Sequence, residues 1–438
     1  MTDLHAQYIS EETVVPTVRG DAITGERYYS KKWMDAEWEN VFTKVWHIGG
    51  MLYDLEEPGD WISHNIGPDS VLMIMQDDRS VKAFYNACIH RGNRLVWSDM
   101  GGGERITCSY HAWQFGKDGT LLHAQDAENF DGGNPCGKAK LTEISCDIWG
   151  GFVWFNMDED TKSLREWLGP LDEILSSYQM DGMVRVLNVS SVVPCNWKII
   201  RDNFNESYHL PTLHPELATF IDDDYKDSVF QTFNDCGHNR MIMKGCQPSM
   251  RLDIPNSMQA PLDDMLKNWN LNPADFEGRS REARVAIQKA MREQGAERGY
   301  PAFDTMTDSQ LTDYHHCTLW PNISFTMSSD GFQVLRSEPH PKDPEQCIFD
   351  HWFIMPKVEG RTEVETPLGV VDFAPADKET IIYGEKSLGY VADQDMSVVT
   401  GQQIGLHSRG YKGGMLTKQE RRVQYFHELL NDACDIHD

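Results

Sequence analysis

Four residues of the types that bind iron or zinc stand in two short pairs, Cys88-Ile-His90 and Cys108-Ser-Tyr-His111, with seventeen residues between them. Nothing else restricts the fold as strongly, because four such ligands converge only if two loops are held side by side on a rigid frame. The flanking sequence supplies that frame. Alternating runs at 61–66, 71–75 and 81–85, separated by turn residues, read as short antiparallel strands. Gly92 and Gly101 to Gly103 place glycine-containing loops beside each pair. Zinc is one reading, but structural zinc motifs usually set two cysteines close together and two histidines further on. Here each half supplies one thiolate and one imidazole. In a Rieske [2Fe-2S] centre two cysteines hold one iron and two histidines the other, each loop giving one ligand to each metal. The interleaving favours the cluster, and a zinc-based interaction module is the alternative.

A chain of 438 residues exceeds the usual single core, so two domains are expected, and 40% hydrophobic with 11% aromatic residues is enough to bury them. The β texture closes with Gly151-Phe-Val-Trp-Phe155, and helical periodicity returns over 163–178, which sets a boundary near Asp158. Upstream, Trp33, Trp38, Val41, Phe42 and Trp46 predict an amphipathic helix within 28–46. The resulting division is a helical segment over 1–45 packing on the larger domain, a cluster domain over 46–158 and a catalytic domain over 159–438. Forty basic against 68 acidic residues, a net of −28, argues against nucleic-acid or anionic-membrane partners. The start has no basic leader or apolar run and no stretch is long enough to span a bilayer, so a cytoplasmic location is expected. Ten scattered cysteines read as thiols in a reducing compartment, apart from the two cluster candidates.

The second constellation is Asp202-Asn-Phe-Asn-Glu206-Ser-Tyr-His209-Leu-Pro211-Thr-Leu-His214-Pro. On a helix Glu206 and His209 share a face, and Pro211 lets the chain bend His214 back toward the same point. Two imidazoles and a carboxylate with open positions form the usual ligand set of oxygen-activating non-haem iron. Two ordinary histidines at a helix end are the plain alternative.

Together, Cys88-x-His90-Arg-Gly-Asn-Arg, Cys108-x-x-His111-Ala-Trp113 and Asn203-x-x-Glu206-x-x-His209-x4-His214-Pro resemble the large (α) subunit of Rieske non-haem iron aromatic-ring-hydroxylating oxygenases. The likeness covers nearly the whole chain. It implies an α+β architecture: a small antiparallel β domain for the [2Fe-2S] cluster on Cys88, His90, Cys108 and His111, and a helix-grip-like antiparallel sheet domain for mononuclear Fe(II). His209 and His214 would be iron ligands. The third would be Asp395, eight residues before Gln403 in an acidic pair followed by Gln-x-Gly-Leu, with Asp393 as runner-up. Glu206 stands where the family most often has Asp, which resembles the branch acting on quaternary amines. By resemblance it would join His209 to His111 of a neighbouring subunit, and Asn203 and Asp202 complete the candidate catalytic set.

The resemblance implies a terminal oxygenase that uses O2 and electrons from a ferredoxin or flavin reductase, in a homotrimer with or without a β subunit. It would hydroxylate, or oxidatively N- or O-dealkylate, a small aromatic or amine-bearing molecule. A cis-dihydroxylating ring dioxygenase and a non-catalytic Rieske electron carrier are the alternatives. Arg91, Arg94, Arg105 and Lys117 flank the cluster loops as a basic patch for an acidic electron donor. Residues 250–291, rich in Met and broken by prolines, read as a lid over the pocket. Runs at 317–325, 332–336 and 347–354 alternate as strands, with Trp320, Phe325 and Trp352 as candidate ring faces for an amine. His315, His316 and His351 read as core or pocket lining rather than ligands. Thr417-Lys-Gln-Glu420 is a capping box opening a terminal helix.

Overall fold

The computed structural model describes residues 10–233 and 236–437. Residues 1–9, where the sequence shows no basic leader, lie outside the described residues. Two compact units divide the chain, one of residues 38–167 and one joining the stretch up to 37 with 168 onward.

The smaller unit carries β1 (His47–Met51), β2 (Trp61–Ile66), β3 (Asp69–Met75), β4 (Val81–Tyr85), β5 (Met100–Gly101), β6 (Ile106–Thr107), β7 (Gln114–Phe115), β8 (Leu121–His123), β9 (Glu143–Trp149) and β10 (Phe152–Asn156). Seven of these form one sheet in the order β1-β10-β9-β4-β3-β2-β5, and β6-β7-β8 form a second. Five consecutive buried residues at the end of β3 show that the large sheet is covered on both faces there. One apolar cluster joins Leu72, Ile74 and Phe84 of the large sheet to Ile106, Phe115 and Leu121 of the small one, and it includes Cys88 and Cys108. The two cysteines are therefore fixed by the core itself.

The larger unit contains β11 (Val184–Val193), β12 (Val229–Thr232), β13 (Asn239–Met243), β14 (Tyr314–Leu319), β15 (Ile323–Ser328), β16 (Gly331–Pro339), β17 (Cys347–Met355), β18 (Glu363–Thr366), β19 (Gly369–Asp372) and β20 (Glu379–Ile381). The main sheet runs β12-β13-β14-β15-β16-β17-β11-β20 and is antiparallel apart from the β11–β20 pair. The principal helices are α1 (Lys31–Asn40), α2 (Trp197–Phe204), α3 (Leu210–Leu213), α4 (Leu262–Asn268), α5 (Ala283–Gln294), α6 (Tyr390–Leu406) and α7 (Arg421–Cys434). Helix α2 packs on β16 and β17 with α6 beside it. Asn196 caps α2 through the Lys198 N–H at 3.0 Å, and its own N–H donates to Gln403 Oε1 of α6 at 2.8 Å. That bond ties together the two helices that bracket the site described below.

Several boundaries differ from the sequence reading. The helix expected within 28–46 is regular only over Lys31–Asn40, with 3-10 turns on either side. The one expected over 163–178 is split at Gly169, whose φ of +53° is left-handed, followed by Pro170. The terminal helix opens as read, with Thr417 and Glu420 forming the capping box.

Candidate metal centres

The two loops of the smaller unit are built alike. In each, the cysteine N–H donates at 2.8 Å to the carbonyl five residues on, Asn93 in one and Trp113 in the other. The residue four places on returns its N–H to the cysteine carbonyl, and that residue, Gly92 or Ala112, has a positive φ of 72° or 54°. This knuckle aims the backbone N–H groups of His90 and Arg91 at Cys88, and those of Tyr110 and His111 at Cys108. Burial pushes the Cys88 thiol up against that effect. At Cys108 burial is outweighed by the backbone donors, by Cys88 and by Asn93, and the thiol is lowered. The imidazoles of His90 and His111 lie with centroids 4.7 Å apart, and His90 stacks on Trp113 at 4.6 Å. Buried His111 Nδ1 has no hydrogen-bond partner, as expected of an atom reserved for a metal. Two buried cysteines that receive backbone N–H groups and two half-buried imidazoles suit a [2Fe-2S] cluster of mixed ligation.

Of the four basic residues around these loops, Lys117 is engaged by Asp77 at 2.6 Å and Glu104 at 3.3 Å, and its charge is compensated. Arg105 bonds Gln114, Arg91 lies against Tyr110 and Arg94 against Trp97, so the arginines keep a net charge at the loops.

In the larger unit, ligand atoms of His209, His214 and Asp395 all lie within 4.8 Å of one another. His214 Nε2 is 2.8 Å and His209 Nε2 3.5 Å from Asp395 Oδ1. The other ring nitrogens are held from behind. Glu206 Oε1 takes the Nδ1–H of His209 at 2.6 Å, and Gln394 Oε1 takes that of His214 at 2.7 Å. With both Nδ1 atoms donating, a metal ion would take the place of the proton that His214 Nε2 shares with Asp395 at 2.8 Å, which leaves both Nε2 lone pairs for ligation. Burial disfavours charge on His214, but the bonds to Asp395 and Gln394 prevail and raise its pKa. Two neutral imidazoles and one carboxylate on one side fit divalent iron.

Helix α2 stops at Phe204, so Glu206 and His209 meet across a turn rather than on a helix face. The second Glu206 oxygen accepts the N–H groups of Tyr208 and His209, which tightens that turn. Pro211 does not break a helix; it stands at the second position of α3, where its missing N–H is not needed. Asp393, the runner-up for the third ligand, accepts the Leu388 N–H at 2.7 Å just ahead of α6, while Asp395, two residues on, is 2% exposed and faces the histidines. Asp202 is not brought to this site. Its carboxylate accepts from Tyr28 at 2.6 Å and from His427 at 2.9 Å.

The three candidate ligands open onto a cavity of about 340 Å³ whose wall also includes Asn203, Glu206 and apolar residues. The sheet contributes a neutral polar row. His316, Thr326 and Gln333 are cross-strand neighbours on β14, β15 and β16, with His316 Nδ1 2.8 Å from Thr326 Oγ1 and Gln333 2.9 Å from His351 Nε2. The ring faces expected at Trp320, Phe325 and Trp352 do not line it. Thr326 and His351 face the cavity, so their neighbours Phe325 and Trp352 face the other side, where Trp352 lies against Arg185 and Arg336. Phe204, Phe220, Tyr314 and Tyr390 supply the aromatic lining instead. No residue of 250–291 lines the cavity, which corrects the lid reading. That segment braces residues 222–223 from outside, Arg281 reaching Asp222 at 2.7 Å and Arg251 lying 3.8 Å from Asp223. His316 and His351 line the cavity as read, whereas Gln394, Thr326 and Gln333 were missed in the sequence, where an amide between two acids and single polar residues on strands carry no periodic signal.

A mixed Cys/His two-loop domain and a helix-and-sheet domain with a two-histidine, one-carboxylate site thus occur in one chain. The sequence profile of the "Ring hydroxylating alpha subunit (catalytic domain)" matches residues 180–436, and that of the "Rieske [2Fe-2S] domain" matches 46–134. The chain belongs to the ring-hydroxylating α-subunit family. It is 30% identical over 230 residues to the carnitine monooxygenase oxygenase subunit of Escherichia coli (strain K12), an alignment covering 51% of this chain and 60% of that protein. It is 30% identical over 206 residues to the glycine betaine monooxygenase oxygenase subunit of Chromohalobacter salexigens, covering 46% and 45%. The chain thus spans less than two thirds of the length of these relatives. A solved quaternary ammonium Rieske monooxygenase shares the fold with a TM-score of 0.66 at 20% identity, over 100% of this chain and 99% of that one. Naphthalene 1,2-dioxygenase with indole bound gives 0.65 at 17%, over 98% and 95%.

Proposed function

We propose that this chain is the terminal oxygenase component of a multicomponent Rieske oxygenase that oxidises an N-alkyl carbon of a small amine. The observation that carries the proposal is the pair of imidazoles with Nδ1 atoms held by Glu206 and Gln394 and Nε2 atoms turned, with Asp395, onto the cavity. When bound, Fe(II) supplies dioxygen activation at His209, His214 and Asp395, and the [2Fe-2S] cluster supplies single electrons from a ferredoxin or flavin reductase. The chain's own part is to fix tautomers, exclude water with apolar walls and orient the substrate. Glu206 holds the His209 proton and, in a homotrimer, is our candidate for the link to a neighbouring subunit's cluster.

The cavity wall bears on the substrate class. Phe204, Phe220, Tyr314 and Tyr390 offer ring faces to a cationic or apolar amine. Neither Lys nor Arg lines the cavity, and Glu206 and Asp395 are its acidic groups, so a substrate carboxylate would be desolvated beside like charge. The relatives are named for carnitine, glycine betaine and choline. Carnitine and glycine betaine carry a carboxylate; our reading favours an amine without one. The test supplies the purified protein with O2 and a reductase and offers paired N-methyl amines with and without a carboxylate. Aldehyde release from the carboxylate-free member supports the proposal. A cis-diol from an aromatic ring with no amine oxidised, or two irons per chain and no substrate-dependent O2 uptake, overturns it.

A further inference from the structure

Thr318, two residues along β14 from His316 and on the same face, is the meeting point of three buried polar side chains. Its hydroxyl donates to Asn205 Oδ1 at 3.0 Å and accepts from Arg422 Nη2 at 3.1 Å and Arg201 Nη2 at 3.4 Å. Both arginines are 1% exposed and Asn205 is fully buried. By contrast, buried Arg336 of this unit has Asp350 at 2.7 Å and Glu338 at 3.3 Å. Among the described residues, Arg201 and Arg422 form no ion pair within 4.0 Å. The nearest acids along the chain are already engaged, Asp202 by Tyr28 and His427, and Glu206 by His209 and two backbone N–H groups.

Three nitrogens of this group, Arg201 Nε, Arg422 Nη1 and Asn205 Nδ2, are buried without a hydrogen-bond partner. Burial, joined at Arg201 by the charge of Arg422, lowers both guanidinium groups to about 9. Waters could satisfy the three N–H groups, but the two guanidinium groups would then lie buried together with only the carboxylates of Asp202 and Glu206, beyond ion-pair distance, to offset them, which is costly. Every unsatisfied atom is a donor, which matches a simple anion. We propose that Arg201, Arg422 and Asn205 bind a monovalent halide-type anion, chloride under ordinary conditions. Bound there, it ties α7 and β14 to the turn that starts at Asn205 and leads into Glu206 and His209.

The test uses the purified holoenzyme. Crystals grown in chloride are transferred to bromide and measured at the bromine absorption edge. We expect an anomalous peak within contact distance of the three nitrogens and a Tm higher by about 2–4 °C in chloride than in gluconate at equal ionic strength. Arg422→Met should abolish the Tm difference; if that variant does not fold, the wild-type peak and the wild-type salt comparison still decide. Ordered water with no anomalous peak overturns the proposal. So does a peak with no chloride dependence of Tm, which would mark an adventitious ion only.

Discussion

At the scale of single residues, each histidine of the candidate iron site is one half of a pair whose other half sets its tautomer. His209→Ala should lower iron from three per chain to about two while the visible and EPR signals of the cluster persist. Metal analysis of the variant checks this, and three irons retained would mean that another group holds the third. Gln394→Leu removes the acceptor of the His214 Nδ1–H at 2.7 Å without touching a ligand. Its expected effect is a roughly 10–100-fold weaker hold on the mononuclear iron, read by chelator competition, with the cluster spectrum unchanged. An unaltered affinity would show that His214 is oriented by packing alone. Residue types at the right spacing made the histidines and cysteines visible in the sequence. Gln394 was not, because its role depends on the α6 surface turned toward His214. Phe325 and Trp352 were misplaced for the same kind of reason: a strand's face is set by register, and a shift of one residue exchanges cavity for core.

At the scale of elements, the strands over 332–336 and 347–354 were legible because their period is written in the chain, whereas the single run expected over 317–325 is two paired strands, Tyr314–Leu319 and Ile323–Ser328, turned between Leu319 and Ile323. The end of α2 was not legible. Helical periodicity runs on past Phe204, yet Asn205 leaves the helix, and its side chain bonds Thr318, which is more than a hundred positions away. Long-range contacts of that kind override local propensity. A second such contact anchors the start of α2. Glu37 of α1 meets Lys198 Nζ at 2.6 Å and Trp197 Nε1 at 2.9 Å, and the ion pair is almost wholly buried. Burial lowers the Lys198 pKa against the pull of Glu37. Glu37→Ala leaves that ammonium unpaired and should cost roughly 3–5 kcal/mol in urea unfolding. Adding Lys198→Met should recover most of the loss, since an apolar replacement of both partners is often neutral. If the single change costs under about 1 kcal/mol, Lys198 has found another partner or lost its proton.

At the scale of the whole molecule, the larger unit buries several histidines as neutral rings. Burial lowers the pKa of His315, His316, His351 and His427, with Asp202 opposing the effect at His427. The bonds agree with neutral rings. Arg27 donates to Nδ1 of His427, whose Nε2–H then serves Asp202, and His315 Nε2 pairs with Ser309 Oγ at 2.8 Å. In the unfolded chain each ring takes up a proton near pH 6.5, whereas in the fold it does not. The unfolded state therefore binds more protons below that pH, and stability falls as the pH drops toward the folded pKa values, by up to about 1.4 kcal/mol per pH unit for each ring. Between about pH 5 and 6.5 most carboxylates are still ionised, so the histidines dominate the slope. Acid also releases metals, and the comparison that isolates the effect is wild type against His315→Gln, because His315 lies away from the candidate ligands. The urea midpoint of the wild type should fall more steeply between pH 7.5 and 5.5 than that of the variant, by about one proton's worth of slope. Parallel curves would mean that His315 is protonated inside the fold or reached by water.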